Sequence, residues 1–253
     1  MVTQIIEAFP TEKREAASDG SKVLHVSELF FNTVQGENWT GVPSMFLRLQ
    51  YCTLNCSWCD TAEVWRVGLP YSNIELLNMF EESGAVTQLR KGQHLILTGG
   101  SPLRQQDGLI DLIERFVVRF GFKPIIEIEN ECTLEPEYKM MEMVDIWNNS
   151  PKLENSGNKK DVRYKPEVMK ILTSLDNSYF KFVVTSEDDW KEIQRDFLDA
   201  GLLTRDQIVL MPEGATREEL YKHYEACVNL ACQEGVRMSD RLQVTIWNKT
   251  TGV

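Results

Sequence analysis

The chain has 253 residues, 42% of them apolar and 26% charged, a mixture that supplies the interior of one or two domains and excludes wholesale disorder. Its net charge of −11 argues against nonspecific polyanion binding, which needs a local excess of Lys and Arg, so no nucleic-acid partner is expected. The amino terminus lacks a secretory signal's cationic start and apolar stretch, and no run approaches the roughly 18 apolar residues that span a bilayer; the expected setting is the cytoplasm, with no membrane partner.

After "IIEAF", residues 1–22 turn polar and read as a loose, peripheral lead-in to a core domain over 23–253. From there, β-branched apolar runs alternate with helical periodicity, the pattern of a parallel sheet with crossover helices. Strands are expected at 44–50, 94–100, 124–130, 144–150, 179–185, 207–212 and 242–247 ("LQVTIW"). Helices are expected at "IELLNMFEES" (74–83), at "GLIDLIERFVVRF" (108–120), and around 165–174, 187–200 and 216–234. About seven strands suit an α/β fold built as a complete or partial (β/α) TIM-like barrel, whose chemistry lies beyond the carboxyl ends of the strands. The polar stretch "PKLENSGNKKDVRY" (151–164) reads as a surface insertion.

The stretch "RLQYCTLNCSWCDT" (48–61) follows a strand end and holds Cys52, Cys56 and Cys59. Six cysteines in 253 residues would place about 0.2 in a window of eight, so three there point to chemistry. In a reducing compartment that chemistry is metal or redox rather than a disulfide. A structural zinc site closes with four ligands, commonly in two pairs, and no second pair at comparable spacing exists, although His25, His94 or His223 could supply a fourth ligand. Cys227 and Cys232, five apart on a helix, point about 140° from each other, and with Cys132 they read as buried or incidental thiols. An iron–sulfur cluster held by three thiolates instead keeps one iron open.

The spacing Cys-x-x-x-Cys-x-x-Cys, with aromatic Trp58 before the last cysteine, resembles the signature of the radical S-adenosylmethionine (SAM) superfamily. The longer stretch "FFNTVQGENWTGVPSMFLRLQYCTLNCSWCDT" (30–61) resembles the opening of the 7-carboxy-7-deazaguanine synthase family. "TGGSPL" (98–103), "NSPKL" (149–153), "KFVV" (181–184), "LMPEG" (210–214) and "RLQVTIWNKTTGV" (241–253) extend the likeness over about 24–253. The resemblance implies the radical SAM form of the barrel, a 4Fe-4S cluster whose open iron takes the amino and carboxylate groups of SAM, and Mg²⁺. It further implies a 6-carboxy-5,6,7,8-tetrahydropterin substrate, from which a 5′-deoxyadenosyl radical removes hydrogen before the ring contracts and ammonia leaves. A flavodoxin as electron donor and a homodimer complete the expectation.

By the same resemblance Cys52, Cys56 and Cys59 hold the cluster, Trp58 lies beside the cofactor, and Thr61 is a magnesium ligand, its plainer reading being a helix cap. Gln35 and Glu37 meet the pterin edge and Arg48 forks its carboxylate; a Glu37–Arg48 surface ion pair is the alternative. Gly99 and Gly100 let the backbone approach SAM. Ser101 stands where the superfamily commonly has Glu, so its hydroxyl either accepts from the SAM amino group or caps the helix that Pro102 opens. Glu129 reaches the SAM ribose or is a solvated strand-end acid. Ser150 and Lys152 meet a carboxylate, unless Lys152 is simply a solvated loop lysine. "ENECT" (129–133) departs from the family's Glu-Thr-Asn-Gly-Thr, and Gln243 from its usual His. Two rivals remain: a radical SAM activase that makes a glycyl radical on a partner enzyme, and a non-enzymatic zinc protein.

Overall fold

The apolar runs assemble into one mixed sheet in the computed structural model, which describes residues 2–9, 12–250 and 252. In chain order its strands are β1 (Thr3–Glu7), β2 (Val23–Val34), β3 (Pro43–Leu49), β4 (Leu69–Ser72), β5 (His94–Gly99), β6 (Ile125–Asn130), β7 (Ile146–Asn149), β8 (Ser178–Val184), β9 (Ile208–Pro212) and β10 (Arg237–Met238). They lie in the order β1-β2-β3-β5-β6-β7-β8-β9-β10, with β4 also paired to β2. The partners of β2 are antiparallel to it, and every pair from β3 to β10 is parallel. The sheet ends at β1 and β10 without joining them, which makes it a partial (β/α) barrel.

Parallel strands are covered on both faces, so their residues read as unbroken apolar runs. Leu95, Ile96 and Leu97 of β5 are all buried, as are Phe180 and Phe182 of β8. The helix Gln106–Phe120 turns Leu109, Ile110, Leu112, Ile113 and Phe116 inward. Each such side chain contributes about 1.5–3 kcal/mol on full burial. Val117, which the periodicity also assigned to that face, is exposed. Reciprocal capping boxes start the helices Asn73–Glu82, from Ser72 and Glu75, and Arg217–Glu234, from Thr216 and Glu219. Among the described residues no helix is long and apolar enough to cross a membrane.

Several segments differ from the sequence reading. Within the stretch whose greater part reads as a peripheral lead-in, Thr3–Glu7 pairs with β2 as an edge strand and buries Ile6. "LQVTIW" alternates like a strand but forms the helix Leu242–Trp247. The parallel sheet ends instead at β10, and Ser239 N–H donates to the Leu210 carbonyl before the chain leaves the sheet edge. Helical turns then bond Val244 and Thr245 N–H to the Arg241 carbonyl, so alternation no longer sets the register. The stretch 151–164 is more than a surface insertion. Arg163 is buried against Glu192 at 2.7 Å, and Ser57 N–H donates to the Ser156 carbonyl, which packs the segment under the cysteine loop.

Candidate active site

At the carboxyl end of β3 the backbone turns sharply, with Tyr51 in a left-handed conformation (φ 76°). Such a turn costs a non-glycine residue about 1–2 kcal/mol. Hydrogen bonds from Tyr51 N–H to the Trp65 carbonyl (3.1 Å) and from Ser101 N–H to the Tyr51 carbonyl (2.8 Å) hold it. The cysteine loop then runs across the mouth of the barrel, where the ends of the parallel strands surround one cavity. Cys52, Cys56 and Cys59 line it, together with Gln35, Glu37, Arg48, Trp58 and Thr61. Gly99, Gly100 and Glu129 enter from the ends of β5 and β6, and Ser150 and Lys152 from the segment after β7.

Each sulfur of the triplet accepts at least one hydrogen bond. Cys52 takes Leu54 N–H at 3.4 Å and the Ser101 hydroxyl at 3.5 Å, Cys56 takes Asn158 Nδ2 at 3.3 Å, and Cys59 takes Trp65 Nε1 at 3.4 Å. Donors aimed at sulfur favour the thiolate, and around an iron–sulfur cluster they also tune its potential. Burial pushes the Cys52 and Cys56 thiols up. All three are free thiols. Among the described residues no three His, Cys, Asp or Glu side chains converge to hold a single metal ion. Three cysteines around an open cavity therefore fit the separated corners of a cluster better than one zinc.

The glycines are required by the chain itself. A Cβ on Gly99 (φ 138°) would stand 2.2 Å from the Leu49 carbonyl oxygen, and one on Gly100 would stand 2.3 Å from that of Tyr51 and 2.6 Å from the Cys52 Cβ. Ser101 alone among the expected site residues does not line the cavity. Fully buried, it accepts from Thr53 N–H at 2.9 Å and makes no side-chain cap, so the cap expectation does not describe its place. The Thr61 hydroxyl makes no cap either and lies 3.8 Å from the Cys59 sulfur.

Ion pairs order the cavity wall. Arg48 does not pair with Glu37: its Nε donates to Glu28 at 2.7 Å, across the β2–β3 register, while Glu37 pairs with Lys181 of β8. Burial opposes the Arg48 charge, but Glu28 and Glu129 outweigh it and hold the guanidinium above its ordinary value. Asp60 pairs with Arg241; burial would raise its carboxyl, yet Arg241, Arg48 and Lys181 hold it below the ordinary range. Gln35 is bound within the chain, its Nε2 reaching Glu127 at 3.3 Å and Glu129 at 3.4 Å. Half-buried Glu129 also accepts from Thr98 and opens on the cavity; burial and neighbouring Glu37 push it up to about 7. Beneath it, fully buried Glu127 accepts from Asn148 Nδ2 at 2.7 Å and pairs with His94.

Sequence reasoning missed Glu28, Asp60, Asn158, Lys181 and Arg241 as parts of this site. A signal was present for Lys181, a charge inside the apolar strand "YFKFVV", where an unpaired ammonium would be costly. The partners of the others are 20 to 181 residues away in sequence, and no local pattern shows them.

A family model described as a 4Fe-4S single cluster domain matches residues 34–162. A 7-carboxy-7-deazaguanine synthase of Pyrobaculum aerophilum is 30% identical over 224 residues, 88% of this chain and 94% of the relative. The protein of the same name from Halobacterium salinarum is 28% identical over 261 residues, covering 94% and 96%. The crystal structure of QueE from Escherichia coli shares the fold, with a TM-score of 0.63 at 22% identity over 87% of this chain and 95% of that one. Barrel, cluster domain and cysteine triplet define a radical SAM enzyme, a class that implies an iron–sulfur cluster and SAM. More particularly, the chain belongs to the 7-carboxy-7-deazaguanine synthase family.

Proposed function

We propose that this chain converts 6-carboxy-5,6,7,8-tetrahydropterin to 7-carboxy-7-deazaguanine with loss of ammonia. The observation that carries the reading is the meeting of three hydrogen-bonded cysteine sulfurs with Arg48, Glu37 and Lys181 in one cavity, in a chain whose full-length relatives bear that enzyme's name. Relatives matched over nearly their whole length disfavour a glycyl-radical activase, and a triplet that does not converge on one ion disfavours zinc.

Bound at Cys52, Cys56 and Cys59, a 4Fe-4S cluster would supply the electron that splits the sulfonium of SAM. Gly99, Gly100 and Trp58 then form a wall for that cofactor, Glu129 receives ribose hydroxyls, and Ser150 and Lys152 face a carboxylate. Arg48 spends only Nε on Glu28, so its terminal nitrogens are left to fork the pterin carboxylate. Glu37 accepts from the pterin's N–H edge while Lys181 steadies it; Gln35 fixes the acids beneath. Thr61 offers a hard oxygen for Mg²⁺. A flavodoxin-type donor, a homodimer and a cytoplasmic setting complete the reading, the last because free thiols persist in a reducing compartment.

The test is anaerobic reconstitution with iron and sulfide, followed by SAM, reductant, Mg²⁺ and the carboxypterin. The deazapurine is expected by mass. SAM cleavage that ignores the pterin and responds only to a protein partner would refute the assignment.

A further inference from the structure

Glu131 follows β6 and is 5% exposed on the cavity wall. The next residue, Cys132, has a left-handed backbone (φ 66°), a turn fastened by its N–H to Asn130 Oδ1 at 3.2 Å. Two hydroxyls then fix the carboxylate: Thr53 Oγ1 donates to Oε1 at 3.0 Å and Thr133 Oγ1 donates to the same oxygen at 2.6 Å. Its other oxygen, Oε2, is buried with no hydrogen-bond partner among the described residues. A buried carboxylate oxygen left without a donor is costly, and a whole unpaired charge more so.

The cavity's own cations do not reach it. Arg48 pairs with Glu28, Lys181 with Glu37 and Arg241 with Asp60. Lys152 donates to the carbonyl and hydroxyl of Ser150, and among the described residues neither it nor Lys249, the remaining cation of the wall, forms an ion pair. Glu131 and Lys152 thus stand as an unmatched acid and an unmatched base in the wall that carries the triplet, with Thr53 tying the acid to the residue after Cys52. The α-amino and α-carboxylate groups of an amino acid offer an N–H donor for the one and an anion for the other.

Resting on the SAM reading above, the geometry points to Glu131 Oε2 as the acceptor of an N–H from the α-amino group of SAM, with the α-carboxylate toward Lys152. Thr53 and Thr133 act as positioning residues by aiming the acid. This contact lies just after β6, since the Ser101 hydroxyl is engaged by Thr53 N–H and the Cys52 sulfur and does not line the cavity.

The test compares equilibrium binding of SAM and of its desamino analogue to the reconstituted protein and to Glu131→Gln, by anaerobic calorimetry. The glutamine keeps an oxygen for both hydroxyls but presents an amide N–H₂ where the acceptor was. SAM is expected to bind the variant about tenfold or more weakly, the scale of a charged hydrogen bond. The desamino analogue is expected to bind both proteins alike, which also reports an intact site. Unchanged SAM affinity, or an equal loss for both ligands, would overturn the assignment; the equal loss would mark Glu131 as a structural prop. Wild-type protein that binds neither ligand would instead refute the SAM reading beneath it.

Discussion

Arg241 Nη2 is ion-paired with Asp60, which fastens the carboxyl-terminal segment to the residue that follows the last cysteine of the triplet. The same guanidinium donates from Nη1 to the Gly214 carbonyl at 2.8 Å, and Gln243 and Val244 beyond it line the cavity. Breaking a fully buried pair costs about 3–5 kcal/mol, but Asp60 is 29% exposed, so Asp60→Asn should cost about 1–3 kcal/mol in urea unfolding. Adding Arg241→Met should cost less than the sum of the two single changes. Strict additivity would show that the pair does not couple the two segments.

The raised carboxyl of Glu129 makes stability depend on pH with a definite sign. Its folded value of about 7 exceeds the ordinary 4.5, so the folded state keeps this proton after the unfolded state has lost it. Stability therefore falls as pH rises from about 4.5 to 7, by about 1–3 kcal/mol in total, and the loss is complete above that window. Glu129→Gln carries no such charge. Its thermal midpoint relative to wild type should be higher at pH 8 than at pH 5, and a pH-independent difference would contradict the assigned environment.

Gly100, the residue after β5, packs directly against the cysteine loop. The methyl group of Gly100→Ala would meet the Tyr51 carbonyl and the Cys52 Cβ, both of which would have to shift. The expected cost is about 1–3 kcal/mol of overpacking. Lower iron and sulfide uptake on reconstitution should accompany it. Wild-type melting together with wild-type iron content would mean the loop is not seated as described.

Thr61→Ala removes a cavity-facing hydroxyl that caps nothing, so its melting temperature should barely change. Activity titrated with Mg²⁺ should shift to higher concentration if that oxygen holds the ion. An unchanged titration would remove Thr61 from the metal site.

The parts of this molecule legible in sequence are those whose physics is local. Three thiols within eight residues announce themselves, and apolar runs at "HLILTGG" and "YFKFVV" announce buried parallel strands. "LQVTIW" misleads because alternation of Leu242, Val244 and Ile246 is a strand signal only when a sheet edge is available, and β10 ends before it. Likewise 151–164 looks solvated by composition, yet Asn155 accepts from Trp58 Nε1 at 3.2 Å and Asn158 donates to Cys56. The Arg48–Glu28 pair is not legible locally, because pairing register, not chain proximity, brings Glu28 alongside Arg48.

Electron paramagnetic resonance of reconstituted, one-electron-reduced protein shows whether the cysteine triplet is the seat of one cluster. Wild type should give a cluster signal that changes when SAM is added, and Cys52→Ala, Cys56→Ala and Cys59→Ala should each lose the signal and all SAM cleavage. Any one of these variants keeping both the wild-type signal and full cleavage would contradict this role of the triplet.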